Sequence, residues 1–183
     1  LGKATTVKLS GTANSVTGAQ ATTLAGKPNF AFDSPGVTKL VVSDTAANLL
    51  LSANGAGVNQ ATTVTMTGTS NTVTAAQATA LMAKPNFSLG GGATLTVADS
   101  ALQILASSNS AGVGIATTVK VTGSNTVTVA QALALYGKHN FGVDSGNGAS
   151  LIIADNYVNL LAASASTIAT ATCVKLTGAA GIN

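Results

Sequence analysis

The chain has 183 residues, of which 46% are apolar, 7% charged and 3% aromatic, and its net charge is +3. This composition excludes an intrinsically disordered chain, which needs low hydrophobicity and high charge. All the basic residues are Lys and aromatic side chains are scarce, so the composition also argues against nucleic-acid binding, which uses clustered Lys and Arg with stacking aromatics.

Catalytic and metal chemistry is hard to build from these residue types. The chain has one His and one Cys, so neither a Ser-His-Asp nor a Cys-His arrangement can be assembled, and a zinc site lacks ligands. A single Cys also excludes an internal disulfide. We therefore expect no enzymatic activity, no metal and no cofactor.

The sequence contains three copies of one repeat and the beginning of a fourth. The copies open with ATTVKLSG at Ala4, ATTVTMTG at Ala61, ATTVKVTG at Ala116 and ATCVKLTG at Ala171. We expect a single array over residues 1–183, with repeats at approximately 4–60, 61–115 and 116–170 and a partial repeat at 171–183. Such a period is typical of solenoids, in which neighbouring repeats bury each other's apolar faces.

Each repeat opens with a predicted strand followed by a helix. The strands are Val7–Leu9, Val64–Met66 and Val119–Val121, where apolar and polar residues alternate. A Thr-x-x-Gln motif then predicts a helix with a capping box, in which the Thr hydroxyl accepts from the third helical amide and the Gln reaches back. These caps are Thr17 and Gln20, Thr74 and Gln77, and Thr128 and Gln131. The predicted apolar stripes are Val16, Ala19 and Leu24; Val73, Ala76, Ala80 and Leu81; and Val127, Ala130, Ala134 and Leu135. A Lys-Pro or Lys-His step is predicted to end each helix.

A second strand and helix complete each repeat. The buried strand face is predicted to be Leu40 and Val42, Leu95 and Val97, and Leu151 and Ile153. The helix is predicted to begin at Asp44, Asp99 and Asp155, each an N-cap with its charge at the positive end of the helix dipole. The buried stripe is then Leu49 and Leu50, Ile104 and Leu105, and Leu160 and Leu161.

The alternation of strands and helices predicts the α/β class. Strand–helix–strand units are right-handed almost without exception. Stacking them gives a right-handed β–α solenoid, similar to leucine-rich repeats, with a parallel sheet on one side and helices on the other. About seven strands and about six helices fit this length. The alternative is an all-β parallel solenoid, which the Thr and Gly content favours and the Ala-rich TAAQATALMA stretch opposes.

Two groups of residues are candidate interaction sites. Asp44, Asp99 and Asp155 form a candidate Ca²⁺ row, although one carboxylate per repeat cannot chelate an ion and capping is the favoured role. The outward strand face is rich in Thr, and its candidate interaction residues are Thr63, Thr65, Thr67, Thr94, Thr96, Thr118, Lys120 and Thr122. Rows of Thr resemble ice-binding faces, but Lys, Val and Ile interrupt the central column.

The other recurring residues have structural explanations. Phe30, Phe87 and Phe141 each follow an Asn and are predicted to plug the core. His139 stands where the other repeats have Pro, and Cys173 stands where they have Thr. The segments 90–92 and 144–148 precede a strand, which indicates turns rather than a phosphate cradle or a Ca²⁺ loop.

The strings GTSNTVTAAQATALMA, TLTVADSALQILASSN and ATTVKVTG resemble the tandem repeats of large secreted bacterial surface proteins, which include adhesins, S-layer-like proteins and matrix components. The resemblance implies an extracellular or cell-surface location, a structural or adhesive role and no catalysis. Many relatives carry glycine-aspartate nonapeptides that bind Ca²⁺, and this chain has none.

The end strands are near copies of interior ones, without a divergent polar cap. Uncapped solenoid ends leave strand edges unpaired. We therefore expect a structural repeat unit of an extracellular filament, surface layer or adhesin stalk, assembling by head-to-tail stacking. Its partner is itself, or the flanking repeats of a longer chain; the start at Leu1 without Met predicts a processed product or an excised piece. The alternative is a module that binds glycan or ice through the Thr-rich face. No segment is apolar enough to predict membrane insertion.

Overall fold

The computed structural model describes residues 5–178 and belongs to the α/β class, with parallel sheets and helices. The α/β prediction is confirmed, and the all-β alternative is wrong because helices follow the strands. The chain divides into two compact units, Leu1–Asn71 with Ala80–Thr94, and Thr72–Thr79 with Leu95–Asn183.

The first unit alternates short strands and short helices. Its elements are β1 (Lys8–Leu9), β2 (Asn14–Val16), α1 (Gly18–Ala25), β3 (Ala31–Phe32), β4 (Leu40–Asp44), α2 (Ala46–Leu50), α3 (Gly55–Gln60) and β5 (Thr63–Met66). Next along the chain, β6 (Asn71–Val73) and α4 (Ala75–Met82) lie at the division, and β7 (Ser88–Leu89) belongs to the first unit. The sheets are a β1-β3 pair and a four-stranded sheet of order β2-β4-β5-β7, all parallel.

The second unit repeats the same pattern. Its elements are β8 (Leu95–Asp99), α5 (Ala101–Leu105), α6 (Ser110–Gly114), β9 (Thr118–Val121), β10 (Ser124–Val127), α7 (Val129–Tyr136), β11 (Gly142–Val143), β12 (Ser150–Asp155), α8 (Tyr157–Ala162), α9 (Ala165–Ala169) and β13 (Cys173–Leu176). One sheet has the order β11-β9-β8 and continues into the part of β6 in this unit; the other is β10-β12-β13. The strands are parallel in the pairs β10–β12, β12–β13, β11–β9 and β8–β9.

Alternate residues of the long strands form the core of each unit. In the first unit these are Leu40, Val42, Val64 and Met66, all fully buried. In the second unit they are Leu95, Val97, Val119, Val121, Leu151 and Ile153. Because successive side chains of a strand point to opposite faces, the residues between them lie on the other face of each sheet. The predicted apolar strand faces are therefore correct.

The first helix of each repeat begins two residues after the first residue of its predicted stripe. Val16, Val73 and Val127 lie in β2, β6 and β10, because the capping Thr before each helix is still extended, as at Thr17 (φ −76°, ψ 166°). The buried stripe consequently uses helical positions one, four and seven: Gly18 and Ala21 with half-buried Leu24, then Ala75, Ala78 and Leu81, and Ala132 and Leu135 with half-buried Val129. Ala76, Ala80, Ala130 and Ala134, predicted in this stripe, are exposed.

These helices do not need proline to end. α7 ends at Tyr136 although His139 replaces the Pro of the other two repeats. What all three share is an Asn in the left-handed region, at φ between 42° and 48°. The three residues are Asn29, Asn86 and Asn140. Each side chain donates to the carbonyl of a Thr before the repeat's first strand, Thr5, Thr62 or Thr117, at 2.6–2.9 Å. The helices end just before the predicted Lys-Pro or Lys-His step, but the third repeat shows that Pro is not required, and the Asn that follows the step turns the chain.

The helix predicted after each strand-end Asp is broken into two pieces. Leu51 and Ala106 are extended, and a 3-10 turn follows each of them before α3 or α6 begins. Buried Asn54 donates to Asn48 O at 2.9 Å, and buried Asn109 donates to Gln103 O at 3.0 Å. These side chains satisfy carbonyls that a helix end leaves without intrahelical partners. The breaks, together with the short strands, explain why the predicted number of elements was too low.

Glycine allows two helix pairs to pack in close contact. A Cβ added to Gly57 in α3 would lie 2.1 Å from Thr22 N in α1, and one added to Gly112 in α6 would lie 2.2 Å from Thr79 N in α4. In the third repeat Thr167 occupies the corresponding position and is 1% exposed. A Thr side chain thus fills the place that glycine leaves open in the other two repeats. A groove between α7 and α8 is lined by Val129, Ala130, Leu133, Asn159 and Ala162.

Replacing Gly57 by Ala is expected to destabilise the chain by about 1–3 kcal/mol or more, because the methyl group overlaps backbone that cannot move aside cheaply. The matched control is Gly55→Ala in the same helix, where an added Cβ meets nothing within 4 Å. That variant should be stabilised by up to about 1 kcal/mol, through helix propensity. Urea unfolding of both variants measures the difference, and equal midpoints would contradict the close packing of α1 and α3.

Candidate functional site

The strand-end aspartates receive N–H groups from a helix earlier in the chain. Asp44 Oδ2 accepts from Gly18 N, the first residue of α1, at 3.0 Å. Asp99 Oδ2 accepts from Ala75 N of α4, and Asp155 Oδ2 from Val129 N of α7, also at 3.0 Å. The first N–H groups of a helix have no intrahelical acceptor and carry its positive end, so a carboxylate there is stabilising.

The same aspartates are not the N-caps of the helices that follow them, which corrects the sequence-based assignment. Those N-caps are Thr45, Ser100 and Asn156, whose side chains accept from the third helical N–H. The second carboxylate oxygen, Oδ1, accepts the backbone N–H of that neighbouring residue at 2.8–2.9 Å. Both carboxylate oxygens are thus engaged by backbone groups. Within residues 5–178, no three His, Cys, Asp or Glu side chains come together as metal ligands.

Buried asparagines provide the corresponding acceptors for the second helix of a repeat. Asn71 Oδ1 accepts from Ala46 N of α2 at 2.8 Å, and Asn125 Oδ1 accepts from Ala101 N of α5 at 2.7 Å. The Asn71 side-chain amide also donates to Thr67 O and Gly68 O at 3.0 and 2.9 Å. Sequence reasoning missed these residues, although Asn14, Asn71 and Asn125 each stand two residues before the Val of a Val-Thr pair.

Asn14 donates to the same kinds of carbonyl as Asn71, but no helix within residues 5–178 donates to its side chain. Its side-chain amide donates to Ser10 O and Lys39 O, both at 3.1 Å, which reproduces the contacts of Asn71 with its own turn. No residue in the described part of the chain donates to Asn14 Oδ1. Conversely, Tyr157 N is the first amide of α8, in the place of Ala46 N and Ala101 N, and no acceptor for it lies within residues 5–178.

Core positions of the fourth repeat are open to solvent. Val174 and Leu176 of β13 are 43% and 60% exposed, whereas their counterparts Val64 and Met66 are fully buried. The predicted stripe at Leu160 and Leu161 is likewise wrong: Leu160 is half-buried and Leu161 is 81% exposed. The apolar end surface formed by Val174 and Leu176 of β13 therefore has the chemistry of a core.

The Thr-rich strand face lies on the side of the strands away from the core. In the first unit Thr63 is in register with Val41, and Thr65 with Ser43 and Ser88. In the second unit Thr96 is in register with Thr118, and Lys120 with Ala98 and Gly142. Of the other candidates, Thr67 and Thr122 follow β5 and β9, and Thr94 precedes β8. The hydroxyl rows are interrupted by Val41, Ala98 and Lys120.

The remaining singled-out residues form no common site. Phe30, Phe87 and Phe141 are half-buried rather than fully enclosed, and Phe30 stacks edge-to-face on Phe32 with ring centroids 5.9 Å apart. His139 and Cys173 are exposed. The segments 90–92 and 144–148 are turns, the second built on a 3-10 turn at Ser145–Asn147.

Hydrogen bonds lower the pKa of Asp155. The Asn159 side-chain amide contributes most, followed by the backbone N–H groups of Val129 and Asn156, while burial opposes the shift. The Asn159 amide donates to Oδ1 at 2.9 Å. Donors that favour the ionised carboxylate hold its pKa below the ordinary value. Asp155 is therefore a cap whose stabilising effect depends on its charge.

No protein-family model, no curated protein and no solved structure matches this chain. Among residues 5–178, no helix combines the length and apolar character required to cross a bilayer. Function is therefore inferred from the geometry of the chain itself.

Replacing Asn71 by Ala is expected to lower the free energy of unfolding by about 1–3 kcal/mol, because the buried N–H of Ala46 then loses its acceptor. Asn14→Ala is the matched control, since Asn14 holds an equivalent turn but accepts no helix N–H from residues 5–178. Chemical denaturation should give a smaller loss for Asn14→Ala. Equal losses would mean that the turn contacts, and not the cap, stabilise the unit.

Acid should remove the contribution of Asp155. Its folded pKa is lower than its unfolded value of about 3.9, so the contribution is complete above the unfolded pKa and is lost as the pH falls through the folded pKa. Asp155→Asn removes this titration, so its unfolding free energy should decline less between about pH 5 and pH 2 than that of the wild type. Thermal unfolding across this range measures the two slopes, and parallel curves would contradict the assignment.

Proposed function

We propose that the chain is a structural repeat unit of an extracellular filament, surface layer or adhesin stalk. In this proposal residues 1–183 form one β–α repeat array, a right-handed solenoid, and copies stack head to tail. The observation that carries the proposal is the apolar end surface at β13, where core residues of the repeat lie exposed. Exposed apolar surface of this kind is typical of an interaction site.

The partner proposed for this surface is another repeat of the same class. The β13 segment repeats the sequence of β1, β5 and β9, and two of those strands, β5 and β9, have a neighbour on each side. Within residues 5–178, β13 pairs only with β12, and β1 pairs only with β3. A strand edge with unpaired N–H and C=O groups is a template for a further strand.

Hydrogen bonding specifies how the two ends fit. Among residues 5–178, no group donates to Asn14 Oδ1 and no group accepts the Tyr157 N–H. Interior repeats join these same two groups, as in the 2.8 Å contact from Ala46 N to Asn71 Oδ1. A head-to-tail contact that pairs Tyr157 N of one copy with Asn14 Oδ1 of the next therefore continues the interior pattern. Such a contact joins two different surfaces, so it is heterologous, and it generates an open filament when its rotation does not close a ring.

The role of the strand-end aspartates supports a structural function, because their carboxylates cap helices. The resemblance to secreted bacterial surface repeats supports the extracellular location.

Leu176→Asp should abolish assembly without unfolding the chain, because Leu176 is 60% exposed in the single copy but would become buried in the filament. The matched control is Thr177→Asp, whose interior counterpart Thr67 stays exposed. Sedimentation velocity over a range of concentrations, with electron microscopy, compares both variants with the wild type. A wild-type chain that stays monomeric at every concentration would overturn the proposed function.

A second pair of variants in the same assay tests the register. Proline at the first helical position removes the N–H and keeps a helical backbone. The preceding Asn156, at φ −71° and ψ 165°, already has the extended conformation that proline requires. Tyr157→Pro should therefore weaken assembly relative to Tyr157→Ala, which keeps the donor. Equal assembly of the two variants would place the contact elsewhere.

A further inference from the structure

In the proposed junction, β1 of one copy and β13 of its neighbour compete for the same position beside β12. In the interior of the first unit, Asn71 follows the end of β5 by five residues, and β5 pairs with β4, the strand that precedes α2. Asn14 follows the end of β1 by the same five residues. For Asn14 to cap α8 of a neighbouring copy in the interior manner, β1 has to lie against that copy's β12, which already pairs with β13.

The two competing strands are nearly identical in sequence. Residues 5–11 read TTVKLSG and residues 172–178 read TCVKLTG, so they differ only at Thr6 against Cys173 and at Ser10 against Thr177. The positions that face the core in the interior repeats, Val and Leu here, are the same in both. Either segment therefore fits a site made for the other.

β1 and β13, which have nearly the same sequence, form their hydrogen bonds through opposite strand edges. β1 is bonded on the side of β3, where Val7 N–H donates to Pro28 O at 3.1 Å and Asp33 N–H donates to Leu9 O at 2.8 Å. β13 is bonded on the side of β12, where Thr172 N–H donates to Leu151 O at 2.7 Å. The interior strand β5 uses both edges at once, towards β4 and β7. A single strand between β12 and β3 can thus satisfy both neighbours.

We propose that the copies join by strand exchange, an inference that rests on the proposed function and gives its mechanism. β13 of one copy stays on its own β12, pairs its open edge with β3 of the next copy, and displaces that copy's β1. β1 is the strand that leaves because it pairs over two residues, Lys8 and Leu9, whereas β13 pairs over four, Cys173–Leu176. The partner is a second copy of this chain.

The exchange conserves the hydrogen bonds of β3. The β3 groups that β1 releases are bonded again by β13, whose Val174 and Leu176 replace Val7 and Leu9. Lys175 takes the place of Lys8, whose Nζ lies 3.8 Å from Asp33 Oδ1. Val174 and Leu176, 43% and 60% exposed in the single copy, become buried, whereas the half-buried Val7 and Leu9 are released to solvent. The conformational freedom of the released segment and the bond from Tyr157 N–H to Asn14 Oδ1 favour the joined state.

Hydrogen exchange on the monomer and on the assembled wild-type chain tests the proposal. Assembly should remove protection from the Val7 amide, which is bonded to Pro28 O in the single copy, and add protection at the Val174 amide. If assemblies form and both segments are protected, the copies dock without exchanging strands, and the inference is overturned while the proposed function stands. If no assemblies form, both are overturned.

A pair of variants gives a second, kinetic readout. Leu9→Asp weakens the strand that has to leave, so it should shorten the lag of assembly relative to the wild type. Ser10→Asp, which adds the same charge at an exposed position, serves as the control and should leave the lag unchanged. Slower assembly of Leu9→Asp would show that β1 is part of the joined state, which contradicts its displacement.

Discussion

In five helices between residues 5 and 178, the first N–H group is bonded to a side-chain acceptor that lies later in the sequence. The first N–H of α1, α2, α4, α5 and α7 is bonded to the Asp or Asn of a strand 24–26 residues away along the chain. These helices have five to eight residues, too short to be stable alone. Placing the next strand therefore completes the previous helix, and each step of the pattern stabilises the one before it.

The choice between Asp and Asn follows from the hydrogen bonds each site requires. At the end of the long strands every neighbouring group donates: Asp155 receives the N–H groups of Val129 and Asn156 and the amide of Asn159. A carboxylate only accepts, so it fits. Asn71 has to accept from a helix and also donate to turn carbonyls, which an ionised carboxylate cannot do. The chain thereby satisfies buried polar groups with very few charges.

Local patterns made part of this arrangement predictable from the sequence. Thr17 and Gln20 lie three residues apart, so their mutual bonds could be inferred without knowing the fold. Alternation within a strand likewise gave the buried face of Leu40 and Val42. Asp44 was assigned to the wrong helix because both Asp and the following Thr are good N-caps, and only the strand boundary decides between them. The buried role of Asn71 was not predictable locally, because its helix partner is 25 residues away.

α8 differs from these helices in how its first N–H groups are satisfied. A helix whose first N–H groups were all satisfied by its own N-cap would need no acceptor from a later strand. α8 shows the difference: Asn156 accepts from Asn159 N at 3.0 Å, which satisfies one amide and leaves the Tyr157 N–H without an acceptor among residues 5–178. For α2 the corresponding acceptor is Asn71, five residues after the end of β5, and Asn14 stands at the same distance from the end of β1. Under the proposed function, Asn14 of a second copy supplies the acceptor for the Tyr157 N–H.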